Sequence, residues 1–180
     1  MVTPMRRKKQ ELSREACVEM LRRGTSGVLA LAGGTGSDGF PYAVPLSYTY
    51  AEGAGGADAR LIFHGANAGL KLDLIAADSR ASFAVIDRDH VVPEEFTTYF
   101  RSVICFGTVR VVTDRMREYE DLMTLGLRFA PRAEEDCRKE IASSQGHTCV
   151  LELSIERMSG KEAIELVRQR EQRGVARQDA

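Results

Sequence analysis

The chain has 180 residues, of which 43% are hydrophobic and 28% charged, so it is able to bury a sizeable core as one domain. With 25 basic and 26 acidic residues its formal net charge is -1, which argues against a strongly charged partner surface. The hydrophobic content excludes a wholly disordered chain. No stretch approaches the roughly 18 uninterrupted apolar residues of a membrane-spanning helix, so we expect no membrane partner.

The ends of the chain are basic and polar. A basic run from Arg6 to Lys9 has no apolar segment after it, so a secretory signal is not indicated and we expect a cytoplasmic protein. We divide the chain into a basic arm at 1–12, a folded domain at 13–167 and a polar helix end and tail at 168–180. The basic runs are short and mixed with acidic residues, so we expect no nucleic-acid partner.

The first half of the domain is predicted to be mostly strands. Ser13 is a good N-cap residue for the first helix, and Pro41 and Pro45 place the second strand at an edge or a bulge. In chain order we predict a helix at 14–23, a strand at 27–32, a turn at 33–39, strands at 40–51 and 60–64, a short helix at 68–77 and a strand at 81–86.

The second half adds one long strand and most of the helices. We predict a charged loop at 87–95, a strand at 98–112, helices at 114–129 and 133–143, a strand at 148–155 and a final helix at 160–173. Strands joined by hairpins, with helices inserted singly, are typical of an antiparallel sheet. We therefore expect a mainly β protein with helices, of the α+β class, built as a closed antiparallel barrel.

A glycine motif follows the first predicted strand. Gly34, Gly36 and Gly39 match the dinucleotide-binding fingerprint, and Asp58 lies about 20 residues further on, as that fingerprint expects. The fingerprint also requires a helix directly after the glycines. The following residues, FPYAVPLSYTY, contain two prolines and alternating aromatics and so favour a strand. We interpret the glycines as a hairpin turn and reject a Rossmann-type nicotinamide domain.

Residues 63–73, FHGANAGLKLD, are the strongest candidate for a binding site. Free amides at a helix start attract phosphate, Lys71 in the first turn adds a charge, and small residues at 65, 66, 68 and 69 let a ligand approach the backbone. An ordinary strand-to-helix connection with an exposed lysine is the alternative. His64 is a catalytic residue, a ligand contact or a satisfied half-buried side chain.

Metal and nucleophile patterns are weak in this sequence. His90 and His147 share no metal-binding spacing with His64, and a single His147-x-Cys149 pair is too little for a metal site. The four cysteines are widely spaced with no CxxC, so we interpret them as buried apolar residues. We predict no metal.

Several ordered motifs span almost the whole domain. They are MRRK at 5–8, GTSGVLAL at 24–31, PYAVPLS at 41–47, FH at 63–64, GLKLD at 69–73, VVPE at 91–94, TTYFRSVI at 97–104, FG at 106–107 and MSGKEAI at 158–164. Together they resemble the Nim-type nitroimidazole-resistance flavoproteins, which belong to the pyridoxamine 5′-phosphate oxidase-like FMN-binding split barrels.

The resemblance implies a six-stranded antiparallel split β-barrel that forms a homodimer with two FMN sites across the interface. It makes His64 the active-site histidine and places the phosphate grip on the turn from His64 to Lys71. The cofactor-binding residues that it implies are Ala43, Val44, Pro45 and Leu46 at the isoalloxazine edge, His64, Gly65, Ala66, Gly69 and Lys71 at the phosphate, and Tyr99 and Ser102 lining the site.

The resemblance also implies an FMN-dependent oxidoreductase. Such an enzyme takes electrons from a reduced nicotinamide or another donor and reduces a small electrophilic acceptor, for example a nitroaromatic. A flavin-, haem- or deazaflavin-binding protein without turnover, such as a redox sensor, is the alternative. Gly65 and Leu70 stand where the family often has serine and a polar residue, which puts more weight on Lys71 and the backbone.

Overall fold

The computed structural model describes residues 5–178, except for the side chains of Ala54 and of residues 173–178. Seven strands lie within the described residues: β1 Ser26–Leu31, β2 Tyr42–Ser47, β3 Thr49–Ala51, β4 Arg60–Ala66, β5 Arg80–Val92, β6 Thr97–Val111 and β7 Thr148–Glu162. The same residues contain five α-helices: α1 Arg14–Arg23, α2 Leu70–Ala77, α3 Arg115–Phe129, α4 Glu134–Ser143 and α5 Ile164–Gln178.

The strands form one sheet in the order β2-β1-β5-β6-β7-β4-β3. β1 pairs antiparallel with β2 and β5, and β4 pairs antiparallel with β3 and β7. The predicted class, α+β with a mainly antiparallel sheet, is confirmed. The sheet has seven strands rather than six, and its two outermost strands do not pair, so the expectation of a closed barrel is corrected.

The extra strand arises because the predicted strand at 40–51 breaks at Tyr48. The Tyr48 side chain is fully buried, and its ring packs edge-on against Phe83 with 5.0 Å between ring centroids. The Tyr48 amide donates to the Thr25 carbonyl at 3.2 Å. The chain therefore pairs with β1 before Tyr48 and with β4 after it. Pro45 lies on β2, an outermost strand, as the proline pattern predicts.

The chain divides into two compact units. The first contains the described residues up to Gly24, residues 85–104 and the described residues from Met158 onward. The second contains residues 25–84 and 105–157.

In the second unit, β4 has apolar contacts on both faces. Phe63 is fully buried, and its ring centroid lies 5.0 Å from that of Phe83. The neighbouring Ile62 is also buried and packs with Val112, Leu125 and Val150. Because successive side chains of a strand point to opposite faces, these are two separate clusters. Burial of each large apolar side chain stabilises the fold by about 1.5–3 kcal/mol. Packing on both faces therefore fixes the position of β4, and with it the start of the loop that follows.

In the first unit, a buried glutamate collects polar groups from three segments. Glu162 is 1% exposed and forms ion pairs with Arg101 at 2.9 Å and Arg170 at 2.6 Å. Its carbonyl accepts a hydrogen bond from the side chain of Gln10 at 3.0 Å. These contacts join the N-terminal segment, β6 and α5.

Two predicted boundaries are wrong because polar residues extend strands. The expected loop at 87–95 is instead the end of β5, followed by a 3-10 turn at Pro93–Glu95. Asp87 is held there by Arg23, with 2.5 Å between Oδ1 and Nε. Likewise, Gly160 belongs to β7, where its carbonyl accepts the Leu12 amide at 3.0 Å, so the last helix begins at Ile164 rather than at residue 160.

Candidate functional site: a phosphate loop and a neighbouring cavity

The phosphate loop, residues 64–71, connects the end of β4 to the start of α2. Asn67 fixes its middle, because its amide donates to the His147 carbonyl at 3.3 Å and its side chain donates to the Gly146 carbonyl. At the helix start, the Gly69 carbonyl accepts the amides of Leu72 at 2.9 Å and Asp73 at 3.4 Å. The loop is thus anchored at its middle and at the start of α2.

The amides at the start of α2 are available to a ligand. Within the described residues, the amides of residues 68–71 have no hydrogen-bond acceptor. Gly69 has φ +122°, a conformation that favours glycine, and no side chain caps the helix. Unpaired amides at the positive end of a helix dipole bind anions, so the loop has the geometry of a phosphate site.

Lys71 brings a charge to the same place. A Cβ atom added to Gly65 would lie 2.6 Å from Lys71 Nζ, so the missing side chain leaves room for the ammonium group. Burial raises the pKa of the Cys149 thiol, opposite Gly65, and the charge of Lys71 offsets part of this effect. No carboxylate among the described residues pairs with Lys71, so its charge remains available to an anion.

His64 lies next to this cradle but faces away from it. It precedes Gly65 in β4, and because strand side chains alternate, the His64 ring and the space occupied by Lys71 Nζ lie on opposite faces. The His64 side chain is exposed and forms no hydrogen bond with any group in the described part of the chain. The structure therefore brings Gly65, Gly69 and Lys71 together, and it does not bring the His64 side chain to Lys71.

The edge of β2 presents backbone groups on every second residue. Along an antiparallel strand, the backbone N–H and C=O groups of one residue bond the partner strand, and those of the next residue point away from it. Tyr48 forms a hydrogen-bonded pair just beyond β2, so Val44 and Leu46 also direct their backbone groups to β1. Ala43 and Pro45 consequently direct theirs to the open edge of the sheet. A planar ligand with hydrogen-bonding edges would meet two carbonyls and the Ala43 amide there.

The glycine motif of the sequence positions α2. Its residues form the turn between antiparallel β1 and β2, so the hairpin interpretation is confirmed. A Cβ atom on Gly34 would lie 2.9 Å from Leu74 Cδ2, and one on Gly36 would lie 2.7 Å from Leu70 Cδ1. The two glycines let the turn pack closely against α2, a role that the motif spacing alone did not reveal.

Tyr99 and Ser102 lie in the first unit, apart from the loop residues in sequence. The Tyr99 hydroxyl donates to Glu95 at 2.8 Å, and this hydrogen bond raises the pKa of Tyr99. The Arg88 guanidinium lies 5.7 Å from the centroid of the Tyr99 ring. Ser102 is half-buried, and by strand alternation it faces the opposite side of β6 from Tyr99.

A cavity of about 440 Å³ lies between α3, α4 and the first residues of β7. We refer to it as the α3–α4 cavity. Its lining includes a cation and a carboxylate, Arg115 and Glu118, together with Tyr119, Leu122, Ile141 and Gln145. Sequence reasoning missed it, because two amphipathic helices give no signal of the space between them.

A buried ionic cluster holds α3 to the sheet. Asp121 and Glu152 are each 1% exposed, and both contact Arg60 and Arg117, while Arg110 also pairs with Glu152. Burial, with the nearby Glu152, raises the pKa of Asp121 to about 6. Burial alone would raise the pKa of Glu152 too, but hydrogen bonding to Arg117 and the surrounding positive charge hold it below its ordinary value. Both buried carboxylates are thus paired with arginines.

In the described part of the chain, no group of three or more His, Cys, Asp or Glu side chains is arranged to hold a metal ion. No described helix is both long and apolar enough to span a membrane.

Solved structures resemble this fold. A conserved hypothetical protein from Mycobacterium tuberculosis has a TM-score of 0.70 at 16% identity, covering 88% of this chain and 90% of that chain. An FAD and haem binding protein from Mycobacterium smegmatis has a TM-score of 0.65 at 28% identity, covering 86% and 73%. A candidate 5-nitroimidazole antibiotic resistance protein from Bacteroides thetaiotaomicron has a TM-score of 0.63 at 15% identity, covering 84% and 85%, a likeness of fold alone.

Sequence comparison gives the family directly. No curated protein matches the chain closely enough to be called a relative. The family model described as pyridoxamine 5′-phosphate oxidase matches residues 13–162, which is most of the chain. This protein therefore belongs to the pyridoxamine 5′-phosphate oxidase family.

Proposed function

We propose that this protein is a flavin-dependent oxidoreductase that holds the 5′-phosphate of its flavin in the phosphate loop. The observation that carries the proposal is the unpaired amides of residues 68–71 beside the Lys71 ammonium group. Family membership and the 28% identical Mycobacterium smegmatis protein, described as binding FAD and haem, support it. FMN, which the sequence resemblance favours, carries this phosphate, and so does FAD.

The residues of the loop fit a phosphate group. Lys71 supplies a full positive charge, and the α2 N-terminus adds roughly half a charge with its amides. Gly65 provides no hydroxyl, but its missing side chain admits the lysine. Leu70, where the family often has a polar residue, packs against the Gly36 turn instead. The binding energy at the phosphate therefore rests on Lys71 and the backbone.

Two further parts of the chain complete the proposed site. The open edge of β2, at Ala43 and Pro45, offers backbone groups to the polar edge of the isoalloxazine ring. His64 is the proposed proton-relay residue, since its exposed ring is free to meet a ligand that passes the end of β4. The sequence resemblance also implies Tyr99 and Ser102 of β6, and we propose them as contacts to the flavin that a second copy of the chain binds.

A bound flavin supplies electron and hydride transfer between a donor and an acceptor. The chain itself positions the cofactor through its phosphate and orients the ring through the β2 edge. We propose a reduced nicotinamide as donor and a small electrophile as acceptor, of which a nitroaromatic is one candidate, as in Nim-type proteins. We also propose that the protein is cytoplasmic.

We propose that the protein works as a homodimer. In the first unit, the last part of β5 and the turn that joins it to β6 expose large apolar side chains: Ile86 is 69% exposed, Val91 62% and Phe96 98%. Phe96 also has φ 51°, an uncommon conformation for a bulky residue, at the tip of this hairpin. Apolar groups concentrated in this way are typical of a contact surface, and a second copy of the chain is its proposed partner.

The test begins with the visible spectrum of the purified protein and chromatography of the cofactor released by acid. We expect an oxidised-flavin spectrum. Lys71→Ala should lose the flavin during purification and bind added FMN only weakly, whereas Lys139→Ala, on exposed α4 and paired with Glu135, should retain it. A colourless protein that takes up neither FMN nor FAD would overturn the proposal. Reduced-nicotinamide oxidation that depends on a nitroaromatic distinguishes an enzyme from a flavin-binding protein without turnover.

A second candidate function is haem binding. The 28% identical relative is described as binding haem together with FAD, and His64, His90 and His147 of this chain are all exposed. Histidine is a common axial ligand of haem iron. A haem absorption band that is lost in one histidine variant would support this candidate, and its absence after incubation with haem would exclude it.

A further inference from the structure

The α3–α4 cavity has the size of a ligand site and carries two opposite charges. Its volume of about 440 Å³ lies within the range of small-molecule pockets. Arg115 and Glu118 both line it, and neither side chain forms an ion pair in the part of the chain that the structure describes. On a helix, an acidic residue that precedes a basic one pairs better than the reverse order, and here the arginine comes first. Both charges are therefore available to a ligand.

α3 presents these charges next to an apolar wall. Residues 115, 118, 119 and 122 share one face of the helix, because side chains three and four positions apart are neighbours. Over about 10 Å of helix this face carries first the guanidinium of Arg115, then the carboxylate of Glu118 beside the Tyr119 ring, and last Leu122. Ile141 of α4 adds to the apolar wall. The lining thus matches a small molecule that combines an anion, a cation and an apolar group.

Tyr119 is held in a fixed position in this wall. Its hydroxyl accepts a hydrogen bond from Arg138 at 3.2 Å, and Arg138 in turn pairs with Glu134 at 2.5 Å. These contacts link α3 to α4 and limit rotation of the Tyr119 side chain. Aromatic pairs contribute more than their buried area alone, so a fixed ring favours a ligand whose apolar group is itself aromatic.

The cavity and the Lys71 ammonium group lie on opposite faces of β4. Leu122, in the cavity wall, packs against the buried cluster that contains Ile62 of β4. Gly65 lies three residues after Ile62, so strand alternation directs it to the other face, where Lys71 Nζ occupies the space beside it. A ligand in the cavity is therefore separate from an anion bound at Lys71.

We infer that the α3–α4 cavity binds a free α-amino acid with an aromatic or other apolar side chain. Arg115 is the partner of its carboxylate and Glu118 the partner of its ammonium group, while Tyr119 and Ile141 contact its side chain. A ligand with only one of the two charges meets a like charge in the cavity and leaves it unpaired, so simple anions and simple cations are disfavoured. The inference does not depend on the proposed flavin function.

The test is a calorimetric titration of the full chain at low salt with three probes. L-phenylalanine carries both charges, 3-phenylpropionate lacks the ammonium group, and 2-phenylethylamine lacks the carboxylate. We expect L-phenylalanine to bind about tenfold or more tightly than either analogue, because each analogue loses one charge-assisted contact.

Two variants exchange the specificity of the site in opposite senses. Glu118→Gln should weaken L-phenylalanine binding about tenfold and leave 3-phenylpropionate binding undiminished, since the lost carboxylate repels that probe. Arg115→Gln should weaken L-phenylalanine binding to a similar extent and leave 2-phenylethylamine binding undiminished. Glu120→Gln and Arg132→Gln, at exposed residues outside the cavity lining, are the matched controls and should leave all three affinities unchanged.

The outcomes separate this inference from the proposed function. Absence of L-phenylalanine binding, equal affinity for the three probes, or equal weakening of all three by either variant overturns the inference and leaves flavin binding untouched. Lys71→Ala should retain full affinity for L-phenylalanine, and a loss there would place the amino acid at the phosphate loop and refute the assignment. A protein that binds L-phenylalanine as expected but no flavin keeps this inference and loses the proposed function.

Discussion

Gly65→Ala is the most direct test of the Lys71 cradle. The added Cβ would lie 2.6 Å from Lys71 Nζ, about 1 Å closer than the usual contact distance of non-bonded heavy atoms. The lysine side chain must therefore move, while the backbone amides of residues 68–71 stay in place. The substitution shifts a charge without removing it.

The size of the effect follows from the charge displacement. Two unit charges attract by about 4 kcal/mol at 4 Å and about 3 kcal/mol at 5 Å, for an effective dielectric constant near 20. A phosphate monoester carries a charge of about -1.5 to -2, so a 1 Å displacement costs about 1–2 kcal/mol. This range is an upper limit because Lys71 is only half-buried. We expect FMN affinity to fall by about fivefold to tenfold.

The assay compares FMN with riboflavin, which lacks the phosphate. Gly65→Ala should weaken FMN binding and leave riboflavin binding unchanged. In a Lys71→Ala background the same substitution should have no further effect, because no ammonium group remains to be displaced. An equal loss of FMN affinity with and without the lysine would refute the cradle, and so would undiminished FMN affinity in the single variant.

Three further predictions concern stability and assembly. The pKa of Asp121 in the folded protein is about 6, above its ordinary value of 3.8, so its contribution to stability is complete below pH 4 and is lost as pH rises through 6. The free energy of unfolding, measured with urea, should therefore decline between pH 4 and 6. Asp121→Asn should flatten that decline. An unchanged pH slope would contradict this account. Gly34→Ala should destabilise the protein by about 1 kcal/mol in thermal unfolding, since the new Cβ meets Leu74, and Leu74→Ala should relieve that cost. Phe96→Ser should shift the proposed dimer toward monomer in light scattering, while Phe40→Ser, an exposed aromatic on the β1–β2 turn, should not; a dimer unaffected by Phe96→Ser would place the interface elsewhere.

The sequence predicts most elements because their signals are local. Ser13 accepts the Ala16 amide at 3.3 Å at the start of α1, and Asp114 accepts the Arg117 amide at 2.8 Å at the start of α3, as capping residues do. Pro45 within β2 likewise indicates an outermost strand. The break at Tyr48 has no local signal, since it depends on which strand each half pairs with.

The candidate site is predictable in part. Small residues before Lys71 indicate a helix start that an anion can approach, and the structure has the helix and the unpaired amides. The opposite orientations of His64 and Gly65 follow from β4 continuing to Ala66, whereas the sequence predicts that this strand ends at His64. The α3–α4 cavity depends on how two helices pack against β7, and that is a tertiary property.

The pairing of β4 with β7 has a consequence for synthesis of the chain. β4 emerges from the ribosome about 80 to 95 residues before the strand that covers one of its edges. At a synthesis rate of roughly 5–20 residues per second, that edge and the apolar side chain of Ile62 stay uncovered for on the order of 5–20 seconds, until β7 with Val150 has been made. Chains that stop before β7 leave one edge of β4 unpaired, with apolar residues on both faces of the strand, and we expect these fragments to aggregate while the complete chain folds.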